Sequence, residues 1–237
     1  MKGLGTLINV VAIIIGGLIG LFSGNLLKEN IRQSLIQVSG VAVMFIGISG
    51  TIGQMIEVTG KTVQMNGTIM MIGSLAIGTV IGELIDIEDR FESFGEWLKV
   101  KTGNGKDTEF VNGFVSASLT VCIGAMAIVG AIQDGLTGNY TTLLVKAILD
   151  FLIVMVMTAS LGKGCIFSFI PVGILQGCVT LLAGLLSPVM TAGAQSNLSL
   201  VGNILIFCVG VNLIRPKTFR VANILPSVVI AVIWSFF

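Results

Sequence analysis

Long apolar runs separated by short polar breaks fill this chain, and few of them show the polar stripe of a helix lying on a soluble core. A run of ~20 mostly apolar residues is long enough to cross a bilayer as a helix. Eight runs meet that description: 4–22, 34–56, 67–86, 111–133, 141–161, 164–186, 198–214 and 218–236. The pattern therefore predicts an all-α fold, a polytopic membrane helix bundle that forms a single transmembrane domain over residues 1–237. The first run reads as a retained span, because it lacks a small-x-small cleavage site and strong spanning runs follow it. Pro226 in the last run is tolerable if neighbouring helices satisfy the carbonyl it frees.

One long polar segment interrupts the runs, "DIEDRFESFGEWLKVKTGNGKDTE" at 86–109. Within it Ile87, Phe91, Phe94, Trp97 and Leu98 recur at helical spacing, with acids early and lysines late, as the helix dipole favours. This is read as an amphipathic connector lying at the membrane interface. The segment 187–197, "SPVMTAGAQSN", is small, polar and uncharged, and is read as a plain connector.

Composition agrees. Apolar types make up 54% of the chain and charged types 11%, against roughly 25% charged in soluble domains. The net charge of +1 gives no basis for nucleic-acid binding. Cys122, Cys165, Cys178 and Cys208 lie in apolar runs with no CxxC spacing, and the chain has no histidine, so they read as small core residues. No metal or cofactor is expected.

The loop charges give a direction. With eight crossings, ten Lys and Arg fall in the loops of one side and only Lys2 and Lys61 on the other. The richer side should be cytoplasmic. Both termini would then be extracytoplasmic, in the inner membrane of a bacterium.

The first and third runs are alike. "GTLINVVAIIIGGLIG" (5–20) and "GTIMMIGSLAIGTVIG" (67–82) align without a gap, and each ends in a GxxxG pair. The second and fourth runs also match, with Gly50 falling on Gly130. Spans 1–2 and 3–4 are thus read as an internal two-helix repeat, a feature common in secondary transporters. Whether an inverted copy also exists stays open at this level.

Polar residues inside the runs are the candidates for function. In "VKAILDFLIVMV", Lys146 and Asp150 lie one turn apart on one face. Counted from Thr141, they lie about 8 Å and about 14 Å deep at 1.5 Å per residue. Each charge costs ~2.5–3.5 kcal/mol at the centre of a membrane helix, so this face should point into the bundle. Asn9, Gln176 and Asn203 fall at comparable depth, while Gln133 and Asp134 close the fourth span. Gly124 places a possible break in mid-membrane, although small residues there also serve close packing. Glu83 reads as an interfacial charge or a gate. The candidate substrate or ion site is therefore Asp150, Lys146, Gln176, Asn203, Asp134, Gln133, Asn9 and Gly124.

The opening 5–20 string, "CIGAMAIVGAIQDG" (122–135), "KAILDF" (146–151), "IPVGILQG" (170–177) and "GVNLIRPKTFRVANILP" (210–226) together resemble the YqgA/YdfK family of bacterial integral membrane proteins, over nearly the whole chain. The resemblance implies a membrane protein of transporter type, with no substrate assigned. The leading expectation is a secondary transporter of a small solute or ion. An oligomeric ion channel is a second reading, though no TVGYG-type filter is present. A sensor or assembly protein using 86–109 as its contact surface is a third. An enzyme is not expected, since the chain has no histidine base, no GxSxG elbow, no HExxH and no P-loop. The expected partners are the lipid bilayer, a small solute or ion and, in an oligomer, further copies of the chain.

Overall fold

A computed structural model describes residues 2–237 apart from 26–27, 60–61 and 124. It is a helical bundle. The long apolar helices are α1 (Leu4–Asn25), α2 (Glu29–Met55), α3 (Thr68–Ile85), α7 (Thr141–Leu161) and α10 (Ala192–Ile214). Between them lie α4 (Ile87–Lys101), α5 (Phe110–Cys122), α6 (Ala125–Thr137), α8 (Phe169–Leu181) and α9 (Ala183–Leu186). The chain ends in α11 (Val221–Ile224) and α12 (Pro226–Trp234).

Among the described residues six segments are long and apolar enough to cross a membrane, the fifth being a 3-10 turn at Lys163–Ser168 joined to α8. The expected run 111–133 is instead two helices, α5 and α6, bent by 61°. Counted as one broken span, the pair brings the total among the described residues to seven; as a re-entrant loop it leaves six. The run 218–236 is shorter than expected and is divided at Pro226, which sits in the first turn of α12, where its missing N–H costs nothing. The run 198–214 begins earlier, at Ala192, because the Thr191 hydroxyl caps α10 by accepting from the Ala194 N–H at 3.2 Å. Most of 187–197, read as a connector, is therefore the first turn and cap of a spanning helix. A two-stranded hairpin, β1 (Ile56–Thr59) with β2 (Thr62–Met65), was not expected; it pairs antiparallel with Ile56 opposite Met65.

Glycines set the directions of the helices. A Cβ on Gly16 would lie 2.5 Å from the Phe151 carbonyl oxygen, and one on Gly24 would lie 2.6 Å from that of Ala159. The numbers rise together, so α1 and α7 run parallel. Gly40 meets Gly210 and Gly47 meets Asn203, so α2 and α10 run antiparallel. Gly78 abuts Ser227 and Gly82 abuts Asn223, which sets α11–α12 antiparallel to α3. Close backbone approach of this kind gives dispersion contact where no hydrophobic force separates helix from lipid.

These directions gather the loops on two faces. On one, Arg220 pairs with Glu83 at 2.7 Å and with Asp86, and Lys163 donates to Asn104 at 2.9 Å. On the other, Ser196 donates to Gln54 at 2.9 Å, and Trp234 near the C-terminus lies against Gly73. The first face holds the loop lysines and arginines of 86–109, 163 and 215–220 and is termed the basic face. Helix α4 lies on this face. Its apolar side, however, docks on protein, with Phe91 stacked on Phe114 of α5 at 5.5 Å and Leu98 buried. Of the expected apolar stripe, Trp97 is turned outward.

The outward surface of the spanning helices is apolar, with Phe45, Val80, Leu84, Ile148, Leu152 and Leu181 exposed. Such a surface over several long helices belongs in lipid.

Replacing Gly20, whose Cβ would land on the Met155 carbonyl, with Leu should force α1 from α7 and destabilise the bundle by about 1–3 kcal/mol or more. Gly53→Leu, at a position with open space around it, should be close to neutral. Thermal unfolding midpoints in detergent micelles check both.

Candidate functional site

Helix α7 carries both interior charges of the span. Lys146 Nζ donates to Asp150 Oδ1 at 2.8 Å, and Asn9 Nδ2 from α1 donates to Asp150 Oδ2 at 3.0 Å. Asp150 is 2% exposed and Asn9 0%. The face carrying the acid therefore points inward. The parallel packing of α1 on α7 makes this clasp possible, since it holds Asn9 level with the turn between Lys146 and Asp150. Both carboxylate oxygens have donors, and the two charges cancel. Breaking one side of a buried pair leaves an uncompensated charge, which is far costlier than removing both.

The break between α5 and α6 lies beside this clasp. Cys122, the last residue of α5, is within electrostatic reach of both Lys146 and Asp150. Ile123 is extended, with φ −79° and ψ 123°, and its N–H closes the last turn on Leu119 O at 3.1 Å. Gly124, named from sequence as the break point, lies outside the described residues.

The two arms line cavities in sequence. At the basic face a cavity of about 390 Å³ is walled by Glu88, Glu92, Glu96, Glu109 and Leu119, with Lys217 the one basic residue in its lining. Burial pushes the Glu88 carboxyl above its ordinary value, although it accepts the Ala222 N–H at 2.8 Å. Deeper, an apolar cavity of about 340 Å³ is bounded by Ser118, Leu119, Cys122, Ile123, Ile128 and Leu175. Toward the opposite face a third, of about 220 Å³, is lined by Val129, Ile132, Gln133, Leu136 and Gln195. Leu119 stands in the wall of both the first and the second.

The sequence-predicted residues thus separate into groups. Asp150, Lys146 and Asn9 form the clasp. Gln133 accepts the Thr142 hydroxyl at 2.7 Å and lines the third cavity. Asp134 is fully buried and accepts the Gly5 N–H at 2.9 Å, tying the start of α1 to α6. Gln176 of α8 is 1% exposed, and neither end of its amide has a partner. Asn203 does not join them. It lies on the far side, where its backbone and side chain pack on Gly47 and Gly50 of α2, and its amide donates to Ser199 O at 2.8 Å. It is helix–helix glue. Two residues that sequence reasoning passed over, Thr6 and Thr180, carry buried hydroxyls with no partner among the described residues. In a sequence such threonines look like any other hydroxyl that bonds its own helix.

The family model described as "Protein of unknown function (DUF554)" matches residues 4–236. The uncharacterised membrane protein YdfK of Bacillus subtilis (strain 168) is 29% identical over 226 residues, covering 95% of this chain and 93% of the relative. The uncharacterised protein YqgA of Escherichia coli (strain K12) is 27% identical over 235 residues, covering 96% and 94%. No solved structure matches the chain.

Single substitutions Asp150→Asn and Lys146→Met should each lower stability by about 3–5 kcal/mol, whereas the double variant should recover most of the loss. A double-mutant cycle on thermal unfolding in micelles measures this, and additive losses would show that the two charges do not compensate each other.

Proposed function

We propose, from the premise that the chain belongs to the DUF554 family of multi-pass membrane proteins, that it is a secondary transporter of a small solute or ion. The observation that carries this reading is the interrupted crossing α5–α6. Its arms line cavities at each face and one between them, and its break adjoins the Asn9–Lys146–Asp150 clasp. A discontinuous helix at membrane depth is tolerated where it borders protein or a cavity, and it presents backbone dipoles to a substrate. The acidic mouth at the basic face favours a solute with a cationic group.

In this reading the clasp is a fixed strut between α1 and α7, and the α5–α6 arms are the moving part. Leu119 serves as the barrier between the mouth and the interior. An oligomeric channel fits less well, since a barrier stands between successive cavities within one chain. The basic face is assigned to the cytoplasm of a bacterial inner membrane by the bias in loop lysines and arginines, which places both termini outside.

Proteoliposomes screened with a panel of labelled amines, amino acids and inorganic cations test this. Gradient-driven, saturable accumulation of at least one solute is expected, and Leu119→Trp should abolish it in protein that still unfolds cooperatively in micelles. Unitary currents far above transporter turnover, or no accumulation of any solute, would contradict it.

A further inference from the structure

Asp150 and Asp134 are both buried acids, but only one is balanced. Asp150 has Lys146. Among the described residues no lysine or arginine pairs with Asp134, which is 0% exposed. One of its oxygens accepts the Gly5 N–H, and Oδ1 has no partner. An uncompensated buried carboxylate demands a cation or a proton.

Other orphaned oxygens lie on the helices packed around it. Gly17 meets Ile166 and Gly173 meets Val10, so α8 runs antiparallel along α1 with a steady register. One further turn places Thr6 opposite Gln176. Gly135, next to Asp134, abuts the Thr180 carbonyl and the Ala183 side chain, which brings α6 onto α8 at the same level. Helices α1, α6 and α8 pack on one another here and carry Asp134 Oδ1, Thr6 Oγ1, Asn9 Oδ1, Gln176 Oε1 and Thr180 Oγ1 within about two turns of the level of Asp134. Each is buried, and each lacks a partner among the described residues. Asn9 gives its Nδ2 to Asp150, so its Oδ1 is turned away from the clasp.

We propose that these five oxygens bind a dehydrated sodium ion between α1, α6 and α8. A proton would neutralise Asp134 but leave four oxygens unsatisfied. Water would satisfy the oxygens but leave the charge. A monovalent hard cation does both, whereas a divalent ion would find only one carboxylate. Gln176 Nε2, the one nitrogen among the orphaned atoms of these residues, lies across the amide carbon from Oε1 and is not a ligand. Resting on the transport reading above, the ion is the coupling ion: Asp134 sits on α6, the arm that lines the cavity opposite the basic face, so occupancy would draw that arm onto α1 and α8.

The binding claim is tested without transport. The purified full chain in micelles is titrated with NaCl at constant ionic strength against choline chloride, and its unfolding midpoint is followed. A saturable rise is expected with Na⁺, with K⁺ needing at least about tenfold more. Asp134→Asn should abolish the dependence, and Thr180→Val or Gln176→Leu should raise the half-saturating concentration about tenfold. The last two remain informative if Asp134→Asn does not fold. The double variant Lys146→Met/Asp150→Asn should keep the response. A midpoint indifferent to Na⁺, one that rises only on acidification, or one whose Na⁺ response survives in all three site variants would overturn the site. Sodium stabilisation in a protein whose proteoliposomes move no solute would uphold the site and sink the transport reading instead.

Discussion

Charge inside hydrocarbon is the constraint around which this bundle is arranged. An acid at membrane depth must be turned from lipid and given donors, or the helix that carries it is disfavoured in the membrane. Asp150 meets the demand within the chain, through a lysine one turn away and an asparagine from the parallel helix α1. Asp134 meets half of it, through a backbone N–H at the start of the same helix. Both acids thus fasten onto α1, one near its first residue and one a turn deeper. The position of α1 is the hinge between a balanced charge and an unbalanced one.

Glycine is the second half of that arrangement. Asn9 reaches Asp150 because α1 and α7 lie backbone to backbone along Gly16, Gly20 and Gly24. The corresponding pair in α3, Gly78 and Gly82, makes an equally close approach, but to the antiparallel α11–α12. The likeness of the two sequences therefore reflects a shared packing task with partners of opposite direction. The second members of the suggested repeat differ more: α2 is continuous, whereas α5–α6 is interrupted and preceded by the docked helix α4. Gly50 faces Asn203 of α10, but Gly130 faces Leu143 of α7.

Hydropathy made the helical membrane class legible, because lipid imposes a length and an apolar content that few soluble helices share. The inward face of α7 was legible for the same reason, from two charges at a spacing of four. The hairpin escaped because "EVTGKTVQM", although β-branched about a Gly-Lys pair, is short beside the apolar runs on either side. The break in α5–α6 was visible only as glycine and small residues, which signal close packing equally well. Depth along a helix says nothing of which face a side chain takes, and Asn203 turns to Gly50 of α2. The contacts that pack α1, α6 and α8 together, such as Gly135 on the Thr180 carbonyl, are tertiary, and no local pattern encodes them.

The most direct measurement is a density map of the protein in a lipid nanodisc, in sodium buffer, at a resolution that shows acyl chains and bound ions. The account predicts acyl chains along Leu84, Ile148 and Leu181, none against Asp150 or Asp134, and a peak beside Asp134 Oδ1. Lipid packed against either carboxylate would contradict it.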